Sequence, residues 1–285
     1  MSEVTLPGEL RRLLDLGLGG SGPIVFLTGA GISAESGIPT FRGEEGYWTV
    51  GSRHYRPEEL ATSSAFRAMP EEVWSWYLYR RGVCRRADPN PAHRALVDLE
   101  HGFHERLVVI TQNVDGLHLR AGSTPQLTYQ IHGNLDFMRF DDSGDRTPTE
   151  IPPEIDQDWE RGRRVRASER ELLSREGTLG RPHVLWFDEH YDEHLFRFES
   201  SLSTAAEASL LVVVGTSGVT NLPLQVAGQA LRRNVPFVVL NRDEDTSFAE
   251  LAHRAPRGHF ERGPAGELVP AVTEYMMTHG LDRLA

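Results

Sequence analysis

Residues 24–43 read Ile-Val-Phe-Leu-Thr-Gly-Ala-Gly-Ile-Ser-Ala-Glu-Ser-Gly-Ile-Pro-Thr-Phe-Arg-Gly. The first five, 24–28, form a short apolar run without alternation, the pattern of a strand buried on both faces. Gly29 and Gly31 follow at once. Glycines at the end of a strand let the backbone come close to a phosphate, and the next helix offers its N-terminal N–H groups to the anion. The chain must leave that helix at Pro39, which puts Phe41 and Arg42 on a loop over the same pocket. A bare Gly-x-Gly is equally a plain tight turn; the long tail is what makes this stretch specific.

Three more apolar runs, 107–111, 210–215 and 236–241, have the same character and end in small polar residues. Stretches with helical period lie between or beside them, at 71–86, 91–101, 193–208, 222–233 and 266–278. Strands alternating with helices predict a doubly wound α/β parallel sheet, in which ligands bind beyond the carboxyl ends of the strands. The chain is expected to be one catalytic domain over 1–285, with a small charged insert over 135–182. Between Asp141 and Arg181, 19 of 41 residues are charged, so this stretch is expected to be solvated and outside the sheet. Its arginines from 161 to 170 are interleaved with acids and read as a solvated helix face.

Composition narrows the chemistry. All 30 basic residues are arginine, because the 285 residues include no lysine, and Cys84 is the only cysteine. That excludes a P-loop lysine, a Schiff-base lysine, an internal disulfide and a cysteine-rich metal site. A net charge of −11 argues against nucleic acid as a partner. No apolar run approaches the ~20 residues that span a bilayer, and the start of the chain lacks a signal-peptide pattern, so a cytoplasmic location is expected.

Two further motifs carry candidate chemistry. Thr-Gln-Asn-Val-Asp-Gly-Leu-His at 111–118 brings two amides and a carboxylate to a strand end, groups suited to ribose hydroxyls and a carboxamide. Gln-Ile-His-Gly-Asn at 130–134 offers His132 as a general base. With 12 histidines in the chain, position alone does not select it.

Taken together, the three motifs resemble the sirtuins, NAD-dependent protein deacylases with a Rossmann-like fold. The likeness runs from residue 24 to about 272, with a gap in the charged insert. It includes Gly-Thr-Ser at 215–217, Asn241, and Gly-Pro-Ala-Gly at 263–266. The resemblance implies that NAD is consumed as a co-substrate. Gly29, Ala30, Gly31, Phe41 and Arg42 would hold its pyrophosphate side. Gln112, Asn113, Val114 and Asp115 would hold the nicotinamide and its ribose. Gly215, Thr216, Ser217, Asn241 and Ala265 would line the adenosine half. His132 and Asn113 would be catalytic, with His132 the general base. An acylated-lysine protein or peptide would be the substrate, with Val184 and Phe187 in contact with it.

Tyr77 and Arg80 match a pair that lines the acyl pocket in the desuccinylase branch of the family, which implies acidic acyl groups, succinyl or malonyl, with acetyl as a further candidate. At i and i+3 the two side chains share a helix face. A buried arginine needs a partner, and an acyl carboxylate supplies one. The bland alternative is an amphipathic helix with core aromatics and solvated arginines.

Two departures stand out. The zinc cysteines usual after the catalytic histidine are absent, so no structural zinc is expected. His183, His190 and His194 are expected at the surface or in loops rather than as ligands. Trp-Phe-Asp-Glu at 186–189 has Asp188 where the family usually has Gly, in a segment that normally pairs with the substrate backbone. A sirtuin-like NAD glycohydrolase therefore stands as the alternative activity, and a non-catalytic NAD-binding module as a third.

Overall fold

The computed structural model describes residues 5–38, 48–50, 53–141 and 146–281. Within them six strands lie side by side, all parallel. Their order is Gly258–Arg262, Phe237–Asn241, Leu210–Val214, Ile24–Thr28, Leu107–Thr111 and Thr128–Gln130. The four apolar runs of the sequence are the four inner strands. The two edge strands are not legible as runs: Thr128–Gln130 is three residues long, and Gly258–Arg262 is only partly buried.

Both faces of the sheet are covered. Strand side chains alternate between faces. Ile24, Phe26, Val109, Val212 and Val238 point to a layer built from the helices Gly8–Leu18, Pro91–Phe103 and Ala265–Gly280. Val25, Leu27, Ile110, Val213 and Val239 point to the helices Phe198–Glu207, Asn221–Arg232 and Ser247–Arg254. Full burial of each such aliphatic or Phe side chain contributes roughly 1.5–3 kcal/mol. These two layers therefore fix where the strand ends lie. The helix expected over 193–208 is broken into Glu193–Phe196 and Phe198–Glu207 by Arg197, which takes a left-handed conformation at φ 54°. No glycine or proline marks that break.

The order of the strands sets the site. From Ile24–Thr28 the chain builds outward through Leu107–Thr111 to Thr128–Gln130. It then returns to the other side of Ile24–Thr28 with Leu210–Val214. The strand order reverses there, and a crevice opens beyond the carboxyl ends of those two neighbours.

The charged stretch is less solvated than its composition suggests. Gly133–Arg139 pairs antiparallel with Arg181–Val184 and with Thr149–Glu150. Trp159, Ile151, Ile155 and Leu173 are buried with Met138 and Phe140 against Trp74 and Leu78 of the helix Pro70–Arg86. The arginines between 161 and 170 do not form one helix face, since the helix there is only Ala167–Leu172. Arg163 reaches Asp156 at 2.7 Å and lies over the Trp159 ring, while Arg166 and Arg163 both pair with buried Glu169. Interleaved acids thus neutralise arginines inside the module.

His183 also departs from expectation. It is buried in the strand Arg181–Val184, with its ring stacked on Phe196 at 5.6 Å. Burial, with Arg139 and Arg181 nearby, pushes its pKa down to about 3. His190 and His194 are exposed. Among the described residues no group of three or more His, Cys, Asp or Glu side chains is arranged to hold a metal ion, and no helix is long and apolar enough to cross a membrane.

Candidate active site

The first motif closes against the strand on the far side of the crevice. Gly29 N–H donates to Val214 O at 2.9 Å, and Gly31 N–H to Gly215 O at 2.7 Å. A Cβ on Gly31 would stand 2.6 Å from Gly215 Cα, and one on Gly215, at φ 60°, 2.6 Å from the Gly31 carbonyl carbon. The two loops meet backbone to backbone, and any side chain would part them. Bare backbone at the strand ends is a cradle suited to a dinucleotide's phosphates. The helix that follows is shorter than expected. It spans Ala30–Ser33, runs into the turn Ala34–Ser36 and stops at Gly37 (φ 81°), before Pro39 is reached. Phe41 and Arg42 lie outside the described residues.

The second motif is bound to the first. Gln112 N–H donates to Thr28 O at 3.0 Å. Asn113 Nδ2 donates to Gly29 O (3.1 Å) and to Ser33 Oγ (3.0 Å). Ser33 Oγ in turn donates to Asp115 Oδ2 at 2.7 Å, and the other carboxylate oxygen accepts from Leu117 N–H at 2.8 Å. Burial pushes the Asp115 carboxyl above its ordinary range, and these donors oppose that shift. The Gln112 side chain turns toward the third strand end, donating to Thr216 Oγ1 (2.9 Å) and accepting from Thr220 Oγ1 (3.0 Å). Val114 packs with Tyr77, Val184 and Trp186.

His132 stands where the second and third motifs touch. Ile131 N–H donates to Thr111 O, and Leu135 N–H to Val114 O. His132 Nδ1 lies 2.9 Å from Gln112 O, and Nε2 lies 2.8 Å from the Tyr191 hydroxyl. Burial pushes its pKa down to about 4, against the opposing hydrogen bond to Gln112. The ring is therefore neutral at pH 7, with Nδ1 as the donor to a carbonyl that can only accept. Nε2 keeps its lone pair, as a general base requires.

The adenosine-side candidates sit at the other end of the crevice. Thr216 is buried and Ser217 exposed. Asn241 Nδ2 donates to Thr216 O at 3.1 Å. Ala265 is buried at the start of the helix Ala265–Gly280, where Gly266 N–H donates to Glu35 Oε2 at 2.7 Å. Glu35, from the first motif, also pairs with Arg242 at 3.4 Å.

The acyl-pocket candidates fall on the helix Pro70–Arg86. Tyr77 is buried, and its hydroxyl accepts from Trp186 Nε1 at 3.0 Å; burial raises its pKa. Arg80 is half-buried, its guanidinium 5.1 Å from the Trp76 ring centroid. The expectation of a buried arginine is met instead by its neighbour Arg81, which pairs with Asp136 at 3.1 Å, as does Arg85 at 2.7 Å. Cys84 is buried in the same cluster, its thiol pushed up to about 12 by burial.

Val184 and Trp186 border this cluster, whereas Phe187 points out, with 56% of its surface exposed. Phe187 N–H already donates to Ala61 O at 2.9 Å. The Asp188 carboxylate accepts from Ser63 N–H (2.7 Å) and Ser64 N–H (3.1 Å). The segment expected to receive a peptide is thus tied to the helix Ser63–Ala68.

These features define a nucleotide-dependent α/β enzyme with a partly buried, neutral imidazole held by the backbone just beyond a strand end. The Sir2 family pattern matches residues 29–221, and the chain belongs to the Sir2 family. It is 38% identical over 251 residues to the NAD-dependent protein deacylase of Leptospira interrogans, covering 86% of this chain and 89% of that one. It is 36% identical over 261 residues to the NAD-dependent protein deacylase sirtuin-5A, mitochondrial, of Xenopus laevis, covering 87% and 80% respectively. A crystal structure of a Sir2 homologue–NAD complex superimposes with a TM-score of 0.74 at 32% identity, covering 95% of this chain and 94% of that one.

Four residues at the site went unmarked in the sequence. Ser33 and Glu35 lie within the first motif, but nothing in their spacing announces a partner. Thr220 and Tyr191 reach Gln112 and His132 from 108 and 59 residues away. No local signal marks either contact.

Proposed function

We propose that this enzyme removes acidic acyl groups, succinyl or malonyl, from lysine side chains of proteins. It is an NAD-dependent protein deacylase, and NAD is its co-substrate. NAD supplies the anomeric carbon from which nicotinamide departs as the acyl oxygen attacks. The Gly29–Gly31 and Gly215 backbones would receive the pyrophosphate, with Ala30, Phe41 and Arg42 beside them. Asn113 and Asp115, held by Ser33, would orient the nicotinamide ribose, with Gln112 and Val114 on the same side. Thr216, Ser217, Asn241 and Ala265 would receive the adenosine half. His132 Nε2 would take the proton of a ribose hydroxyl, which frees that oxygen to accept the acyl group. Positioning of this kind removes the entropic part of the barrier.

The observation that carries the acyl preference is the pairing of Tyr77 with Arg80 on one face of Pro70–Arg86, with Tyr77 hydrogen-bonded to Trp186 in the cluster that includes Val114 and Val184. A phenol and a guanidinium offer an acyl carboxylate both a hydrogen bond and a charge. Val184 and Phe187 would flank the substrate chain. The residues over 135–182 would take the place of the family's zinc module, held by the core around Trp159. The test compares kcat/KM on succinyl and acetyl peptides for the native enzyme and for Arg80→Met. A large fall in the succinyl-to-acetyl ratio supports the reading, and an unchanged ratio rejects it.

A second reading, transfer of ADP-ribose to water, is favoured by one observation: Phe187 N–H and the Asp188 carboxylate are already engaged with residues 61–64. Product analysis separates the two. O-acyl-ADP-ribose that appears only with peptide marks the deacylase, and peptide-independent ADP-ribose marks the hydrolase.

A further inference from the structure

Resting on the deacylase reading, we propose that Tyr191 is a catalytic residue that relays the substrate proton to His132. An imidazole nitrogen without hydrogen has one in-plane lone pair. Nδ1 of His132 faces Gln112 O, a pure acceptor, so the hydrogen sits on Nδ1 and the lone pair on Nε2. That lone pair meets the Tyr191 hydroxyl at 2.8 Å, so the phenol is the donor. The base is thus occupied before any substrate arrives. A ribose hydroxyl reaches it either by pushing Tyr191 aside or by passing its proton through Tyr191.

The surroundings of Tyr191 favour passage through it. Its ring stacks on Phe198 at 6.2 Å and lies tilted against the His132 ring at 5.9 Å. The backbone on both sides is pinned. Glu189 is paired with Arg181 and accepts from Trp186 N–H at 3.0 Å. Asp192 accepts from Leu195 N–H at 2.7 Å and pairs with Arg146 at 3.4 Å. The side chain is only partly buried, and its oxygen makes no other hydrogen bond among the described residues. Its remaining lone pairs are available to accept from a substrate hydroxyl.

The step balances without any further reagent. The ribose O–H breaks and its proton goes to Tyr191 Oη. The Tyr191 proton goes to His132 Nε2, and the ribose oxygen forms its bond to the acyl carbon as the π bond between that carbon and the lysine nitrogen breaks, its electron pair going to the nitrogen. His132 becomes an imidazolium that donates through Nδ1 to Gln112 O, and later returns a proton to water. No phenolate need accumulate.

Tyr191→Phe tests this, since it keeps the ring and its stacking and deletes only the hydroxyl. Two rates are read with an acylated peptide present: incorporation of labelled nicotinamide into NAD, which precedes the base-dependent step, and formation of O-acyl-ADP-ribose. The relay predicts that nicotinamide incorporation is kept. It also predicts that acyl-transfer kcat falls by about 10²-fold, the scale of general acid–base catalysis, with KM for NAD changed by less than about twofold. Unchanged or faster acyl transfer overturns the relay, because Tyr191 then merely covers the base. Equal loss of both rates also overturns it, as that marks a structural role. If the native enzyme shows neither rate, the deacylase reading itself fails and takes the relay with it.

Discussion

Ser33 Oγ donates to Asp115 Oδ2 at 2.7 Å, and the same oxygen accepts from Asn113 Nδ2 at 3.0 Å. One hydroxyl from the glycine-rich motif thereby holds one amide and the carboxylate of the second motif, 80 and 82 residues further along the chain. Ser33→Ala leaves a buried carboxylate short of one donor and frees the Asn113 amide. Leaving such groups unpaired costs about 1–3 kcal/mol, so kcat/KM for NAD is expected to fall roughly tenfold to a hundredfold. Steady-state kinetics with NAD varied at saturating peptide checks this. An unchanged value would mean that Asp115 is oriented by Leu117 N–H alone.

Gly31→Ala is expected to be far more damaging than its size suggests. The new methyl would stand 2.6 Å from Gly215 Cα and 2.8 Å from Gly215 O, both backbone atoms that have no rotamer to escape into. The crevice must widen, and affinity for NAD should drop by at least about tenfold, or about 1.4 kcal/mol. Calorimetric titration with NAD reads this directly. Native-like affinity in the variant would show that the loop contact is dispensable.

Asp188→Ala removes two hydrogen bonds from the start of Ser63–Ala68. Thr62 still caps this helix by accepting from Ala65 N–H, so the loss of partners for two first-turn N–H groups is expected to cost about 1 kcal/mol, and in a domain of this size 1 kcal/mol lowers Tm by about 2–4 °C. KM for peptide should shift more than KM for NAD, since the segment 186–189 is expected to border the peptide and not the nucleotide. Equal shifts in both would argue that the segment stays clear of the peptide.

Three buried histidines and the partly buried His132 make stability depend on pH in a defined direction. His93, His118, His132 and His183 are held near 2, 4, 4 and 3 by burial, from an ordinary value of 6.5. Between those values and 6.5 the unfolded chain binds more protons than the folded one, so stability is full above pH 6.5 and falls as pH drops toward 4. Urea midpoints measured from pH 7.5 to 4.5 should decline steadily. A flat profile would mean that these rings protonate as readily in the folded protein as outside it.

Removal of metal should leave the small module intact. Trp159 is buried with Trp74, Ile155 and Leu173 in an apolar cluster. Trp159→Ala is therefore expected to cost about 3–5 kcal/mol, while dialysis against a strong chelator leaves the melting curve unchanged. Stoichiometric zinc in the purified protein, or melting that responds to the chelator, would sink this account.

Much of the fold is legible along the chain. Each inner strand is a continuous apolar run because it is buried on both faces, and the helices on either side carry the period of a single buried face. The cradle is legible too, because Gly29, Gly31 and Gly215 are forced by close backbone contact. What escapes is whatever depends on the far side of a contact. The neighbours Arg80 and Arg81 look alike in sequence, yet Arg81 is the buried one, met by Asp136 of the strand Gly133–Arg139. His183 reads as a loop histidine until Phe196 covers it.

The sequence by itself determined the parallel sheet, the glycine-lined strand ends and the family, because these rest on local periodicity and on residue types that few alternatives satisfy. Only the tertiary structure decided which nitrogen of His132 carries the lone pair, that the Tyr191 hydroxyl donates to it, and that Asp188 serves a helix end. Those are relations between residues tens to more than a hundred positions apart. They are set by packing between elements and leave no local pattern along the chain.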